Sequence, residues 1–263
     1  MNKLEWRMLD ILKRLKDEYG VVAVKAEFEA EGTRVDELLR LLELANKASL
    51  KIGLKIGGCE AIRDLIESKS FGCDYIIAPM IETAYALSKF RDARKKIYGD
   101  DQETKFLFNL ETATAFQKRQ ELFDAAVDKI DGCVFGRVDY CGSLDLSRDS
   151  INDEKVTADV CEAAKLSVVN DMEMVVGGGV SMESLEALRK IRKINLTRFE
   201  TRKIIFSGGA LDIPTIDKGL LTAVEFELNW LKNKRNFYEV IFTEDAKRIE
   251  MLEDRWKALL ESV

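Results

Sequence analysis

Short apolar runs alternate with amphipathic helical stretches along almost the whole chain, and this alternation narrows the fold more than any other feature. The runs occupy 21–29, 50–57, 74–82, 104–111, 132–139, 173–179 and 202–207. Helical patterns lie between them, over about 35–48, 60–68, 84–97, 113–127, 154–168 and 181–192. An amphipathic N-terminal helix precedes the first run, and helical stretches over about 215–233 and 244–261 follow the last. Strands separated by helices of ten or more residues form βαβ units and a parallel sheet. Right-handed crossovers repeated in one direction close a barrel or wind an open sheet. The glycine-rich phosphate fingerprint of a dinucleotide-binding sheet is missing after the first run, which favours the barrel. The expected architecture is therefore an α/β fold, a (β/α)8 barrel of the TIM type. It occupies 1–263 as one domain, with an N-terminal helix and a C-terminal helical extension; 263 residues suit such a barrel. Seven runs are one short of eight, so one strand is atypical, hidden or missing.

Histidine is absent. This excludes a histidine general base, a Ser-His-Asp triad and any histidine-ligated metal. A metal must then be held by oxygen or sulfur, and carboxylates favour Mg2+, Mn2+ or Ca2+. The cysteines Cys59, Cys73, Cys133, Cys141 and Cys161 follow no metal-finger spacing and read as reduced thiols. The net charge is −6 with no basic block, so a nucleic-acid partner is not expected. No apolar run has the length of a membrane span, and the charged N-terminus does not resemble a signal peptide. The expected compartment is the cytoplasm.

Barrel enzymes place their chemistry at the C-terminal ends of the strands. With a period of two, residues i and i+2 face the same side. This pairs Lys25 with Glu27, Met80 with Glu82, Asn109 with Glu111 and Arg137 with Asp139, and sets Lys55 at the end of the second run. Buried carboxylates need a metal, a ligand or mutual pairing. Glu111 and Asp139, on neighbouring strands, suit a divalent cation; Arg137 and Lys55 are their partners if they form only a salt-bridge network. Lys25 and Glu27 read equally as a same-face ion pair, and Glu82 as a residue beside a Thr83 helix cap. Gly177–Gly179 and Ser207–Gly209 each read as a tight turn or as an anion site such as a phosphate.

The stretch from Val24 to Ala158 resembles the HpcH/HpaI aldolase/citrate lyase family. The resemblance rests on IIAPMIET (76–83), FLFNLET (106–112) and DGCVFGRVDYCGSLDL (131–146), in that order. It implies a TIM barrel that makes or breaks a carbon–carbon bond through a pyruvate- or oxaloacetate-type enolate, with Mg2+ or Mn2+ held by Glu111 and Asp139. Substrate contacts are expected from Asn109, Glu82, Lys25 and Gly178, and catalytic roles from Lys55, Arg137 and Glu27. The chain departs from the family in two places. Lys55 stands where an arginine is usual, and Phe28 stands near the place of a histidine base. Glu27 or a metal-bound water then takes the part of the base, and Arg137 shares the charge-stabilising role. A keto acid is the expected partner. The apolar C-terminal helical surface, with Leu220, Leu221, Val224, Phe226, Leu228 and Trp230, packs on the barrel or on a second subunit, and the resemblance implies a homo-oligomer.

Two other functions fit the same residues. Lys25 or Lys55 could attack a carbonyl as a Schiff-base lysine. Alternatively, the barrel binds a keto acid or a partner protein without turnover, a reading motivated by the missing histidine and the replaced arginine.

Overall fold

The computed structural model describes residues 1–100 and 103–261. The chain begins with α1 (Lys3–Tyr19), β1 (Val21–Glu27), α2 (Val35–Ala48), β2 (Lys51–Lys55) and α3 (Ile62–Ser70). It continues through β3 (Tyr75–Ala78), α4 (Ala84–Tyr98), β4 (Lys105–Leu110), α5 (Ala113–Gln117), α6 (Arg119–Ala126) and β5 (Gly132–Gly136). Then follow α7 (Arg137–Ser143), α8 (Glu154–Val169), β6 (Glu173–Gly177), α9 (Leu185–Arg192), β7 (Arg198–Glu200), β8 (Ile204–Ser207) and α10 (Ile216–Glu261). The eight strands close a barrel in sequential order.

Local chemistry sets the boundaries of these elements. Asn2 caps α1 by accepting from the Glu5 amide, while the Glu5 side chain accepts from the Asn2 amide; Gly20, at φ +67°, ends the helix. Met8, Leu12 and Leu15 recur at helical spacing and are fully buried. Thr83 and Thr112 cap α4 and α5, their hydroxyls accepting from the amides of Ala86 and Ala115.

Alternation along the strands separates two cores. One set of residues, including Phe106, Phe108, Phe135, Val176 and Phe199, packs outward with the helices. The other fills the barrel with Ala23, Tyr75, Ile77, Leu107, Val134, Val175 and Ile205. Below that layer Glu173 accepts from both Lys105 and Arg198. The Arg198 guanidinium also lies 4.4 Å from the Tyr75 ring centre. The strand starts are thus closed by paired charges and the interior by apolar side chains, leaving the strand ends for a site.

The structure corrects the seven-strand count. The missing strand is β7, only three residues long and reading Arg-Phe-Glu, so no apolar run announces it. β8 runs antiparallel to both β7 and β1, with Glu200 opposite Ile205 and Val24 opposite Ile204. A three-residue turn replaces the last helical crossover; antiparallel neighbours permit so short a link and parallel ones do not. Because β8 points the other way, Ser207–Gly209 lies at the strand-start end, where the Ser207 amide donates to Gly20 O at 2.9 Å. Of the two readings of that loop, the anion site beside the strand-end cavity does not fit this position, and the tight turn does.

Other boundaries also move. The run 132–139 is strand only to Gly136, and Arg137 opens α7. The pattern over 113–127 is two helices, α5 and α6, meeting at Lys118. The two C-terminal stretches are one helix of 46 residues. Among the described residues no helix is long and apolar enough to cross a membrane.

Candidate active site

The strand ends open into a cavity of about 230 Å³. Lys25 and Glu27 of β1, Lys55 of β2, and Asn109 and Glu111 from the end of β4 line it. Asp139 of α7, Gly178 after β6, and Glu200 with Thr201 and Arg202 from the β7–β8 turn complete the wall. Lys25, Lys55, Asn109, Glu111 and Glu200 are buried. Gly136 makes room for Glu111, since a Cβ there would lie 2.7 Å from Glu111 Oε2.

The charges are interleaved. Lys25 Nζ sits 2.5 Å from Glu200 Oε1 and 3.1 Å from Glu27 Oε1. Lys55 Nζ sits 2.8 Å from Glu29 Oε2 and 3.7 Å from Glu111 Oε2. Burial works against both ammonium charges, but the carboxylates around them prevail and raise both amine pKa values. Burial likewise opposes the charge of Glu27, yet Lys25 and Lys55 hold it below the usual carboxylate range. Glu111 moves the other way. Its burial, aided by the charge of Asp139, raises its pKa despite Lys55, the Met80 amide and Asn109.

Glu111 Oε1 accepts from the Met80 amide at 2.9 Å, and Oε2 accepts from Asn109 Nδ2 at 2.7 Å. Asn109 Oδ1 is buried and has no hydrogen-bond partner. An orphaned buried amide oxygen is uncommon, and such an atom is ordinarily met by a water, an ion or a ligand. Among the described residues no three His, Cys, Asp or Glu side chains gather as a ready cage for an ion. Two carboxylates and an amide oxygen in one cavity are nonetheless a donor set for a hard cation that keeps water or substrate on its other positions. The residues present fit Mg2+ or Mn2+.

Two expected site residues, Arg137 and Glu82, are placed outside the cavity. Arg137 does not line the cavity. Its guanidinium, almost completely buried, donates to Gly177 O at 3.2 Å, Gly178 O at 3.1 Å, Asn152 Oδ1 at 2.9 Å and Ser184 Oγ at 3.3 Å. Burial lowers its pKa to about 10. It fastens the turn after β6 to the loop before α8, because the strand stops before it and the parity with Asp139 no longer applies. Glu82 also lies outside the cavity, accepting from Thr112 Oγ1 at 2.7 Å. Met80, read as its inward companion, is 47% exposed and contributes its backbone amide instead. Gly178 lines the cavity at φ +78°, where a Cβ would meet the Val138 amide nitrogen at 2.6 Å. This fits the tight-turn reading.

Sequence reasoning missed Glu200, Thr201, Arg202 and Arg148, all on the cavity wall. Glu200 ends β7 and Thr201 follows it, so both were invisible because β7 was, while Arg202 opens the run 202–207 without a spacing that marks it as a site residue. Inward parity at Arg198 and Glu200 was the available signal. Arg148 lies in the 142–153 loop, and nothing in its spacing marks it.

Residues 20–196, more than half of the chain, match the family model HpcH/HpaI aldolase/citrate lyase. The match ends before β7, so the antiparallel closure lies outside it. No curated protein matches the chain. Among solved structures, citrate synthase SbnG is 15% identical with a TM-score of 0.59, covering 87% of this chain and 90% of that one. An HpcH/HpaI aldolase from Desulfitobacterium hafniense DCB-2 is 11% identical with a TM-score of 0.56, covering 72% and 89%. An HpcH/HpaI aldolase/citrate lyase family protein from Burkholderia cenocepacia J2315 is 11% identical with a TM-score of 0.56, covering 85% and 99%. At such identities these structures speak for the fold alone. The family match stands on more than half of the sequence: the chain belongs to the HpcH/HpaI aldolase/citrate lyase family, and its class of chemistry is that of a carbon–carbon lyase.

Proposed function

We propose that the chain is a divalent-metal-dependent aldolase or lyase acting on a pyruvate- or oxaloacetate-type keto acid. The observation that carries this reading is the shared cavity of Glu111, Asp139 and the unpartnered Asn109 Oδ1. Glu111 and Asp139 would hold Mg2+ or Mn2+. When bound, the cation supplies Lewis-acid polarisation of a keto oxygen.

The rest falls to side chains on the page. Lys55, held protonated beside Glu111 and Glu29, offsets the negative charge that grows on an enolate oxygen. As a point charge it lacks the two-pronged grip of an arginine, so it steers charge more than orientation. Asn109 orients Glu111 through its amide nitrogen and turns its oxygen to the ligand. Glu27 takes the proton of the aldol hydroxyl. Its depressed pKa keeps it ionised, as an acceptor must be, at the expense of basicity. Lys25 holds Glu27 and Glu200 in place. A Schiff-base mechanism is disfavoured, because a nucleophilic lysine needs a lowered pKa and both candidates have raised ones.

The test is calorimetric titration of Mn2+ with and without oxaloacetate, on the wild type and on Asp139→Asn. Binding should tighten when the keto acid is present and weaken at least tenfold in the variant. No metal binding by the wild type would reduce Glu111 and Asp139 to a salt-bridge network.

A further inference from the structure

Among the described residues, the non-glycine positions with a positive φ are Ser49, Met80, Asp128, Asp145 and Asp171. The aspartates carry short polar side chains that tolerate the left-handed region, and Ser49 ends α2 as its C-cap. Met80, at φ +50°, is the long apolar residue in this set. It stands just beyond β3, at the strand-end side of the barrel. A bulky residue in that region is an outlier that persists only where its surroundings over-determine it, and such residues cluster at functional sites.

The neighbours of Met80 do determine it. Pro79 precedes it with a fixed φ and no N–H to donate. Ile81 follows and is wholly buried. Glu82 accepts from Thr112 Oγ1 at 2.7 Å, and Thr83 caps α4. The Met80 side chain takes no part, being 47% exposed and off the cavity wall. What the conformation delivers is the backbone N–H, which donates to Glu111 Oε1 at 2.9 Å. Asn109 Nδ2 holds the other oxygen at 2.7 Å, and Gly136 leaves the space that the carboxylate fills. Glu111 is therefore buried and gripped at both oxygens, with one grip coming from a left-handed residue of the neighbouring strand end.

We infer that Met80 is a positioning residue, held left-handed so that its backbone N–H fixes Glu111 in the orientation that binds the divalent cation. This role presupposes that Glu111 holds the cation, as proposed above. A donor behind a ligand oxygen sets the direction of that oxygen and leaves a lone pair for the ion. Residue 80 then matters through the φ it accepts and not through its side chain. Ile81 is buried and Glu82 is tied to Thr112, so the chain after residue 80 is pinned. A return to negative φ must come from the other side, by swinging the Pro79–Met80 peptide and taking its N–H away from Glu111.

The experiment is calorimetric titration of the metal-free full chain with Mn2+, paired with amide hydrogen exchange at residue 80. The wild type should bind Mn2+ and exchange slowly at this amide, although the side chain beside it is exposed. Met80→Gly removes the side chain and accepts φ +50° freely, so Mn2+ affinity should stay within about twofold and exchange should stay slow. Met80→Val places a β-branched residue where it is least tolerated. With the near-ultraviolet circular dichroism of the wild type, it should bind Mn2+ about tenfold more weakly, the usual cost of losing a partner behind a metal ligand, and exchange faster at residue 80. A valine variant that binds Mn2+ as the wild type does overturns the inference. So does a glycine variant weakened as far as the valine one, which would assign the effect to the side chain. Fast exchange at Met80 in the folded wild type overturns it without any variant. A wild type that binds no Mn2+ fails earlier, and takes the metal reading of the site with it.

Discussion

Without the Lys25 ammonium, Glu200 and Glu27 would face the cavity with no cation between them. Breaking a buried ion pair from one side leaves an uncompensated charge and costs about 3–5 kcal/mol. Lys25→Met should therefore lower the urea midpoint strongly with an unchanged m value. The loss should lessen as pH falls through the ordinary carboxylate range, because protonated acids no longer need a counter-charge. A pH-independent loss would mean that packing, not charge, is what Lys25 provides. Part of this arrangement was legible in the sequence. The i, i+2 spacing placed Lys25 beside Glu27, and the pair exists. Glu200 was not legible, because a counter-charge 175 positions away leaves no local trace. Arg137 shows the opposite failure. Its spacing from Asp139 was read as strand parity, but β5 ends one residue earlier, and the guanidinium turned to backbone carbonyls.

The β7–β8 hairpin is the element that sets this barrel apart. Its turn carries Thr201 and Arg202 into the cavity wall, and its anchor is on α10. Thr201 Oγ1 donates to Glu227 Oε1 at 2.7 Å and accepts from the Ile204 amide at 3.2 Å. Thr201→Val keeps the shape and removes both bonds. The loss should be about 1–3 kcal/mol, since the Ile204 amide is left buried without its partner. Hydrogen exchange should rise at Ile204 and its neighbours while β1–β6 stay protected. The Michaelis constant for the proposed keto-acid substrate should rise more than kcat falls, because the turn shapes the wall rather than the reacting atoms. Uniform loss of protection across all strands would show that the hairpin is no separate unit. This element escaped the sequence reading for a physical reason. A strand of three residues whose inward positions are Arg198 and Glu200 carries too little apolar signal to be seen, whereas β1 to β6, each with buried aliphatic or aromatic residues, announce themselves.

At the scale of the whole molecule the barrel is polar at both ends and apolar between. The alternation of runs and helices made the closed α/β barrel legible, because every crossover up to β7 is long enough for a helix. It did not reveal the lower plug, where Glu173 is held by Arg198 and Lys105. Burial raises the Glu173 pKa, but the two cations outweigh it and hold the carboxyl below its ordinary 4.5. A folded-state pKa below the unfolded one means that the unfolded chain binds the proton more readily at acid pH. The stabilisation from Glu173 is therefore fully present above about pH 4.5 and is lost as pH falls through the depressed folded value. Glu173→Gln should be less stable than the wild type at pH 7, and the gap should close as the solution is taken toward pH 3. Paired urea titrations at pH 7, 5 and 3.5 would measure it. A constant gap would assign the effect to lost hydrogen-bond geometry alone. A closing gap would make the ionised plug part of what holds the strand starts together, at the opposite end of the barrel from the cavity.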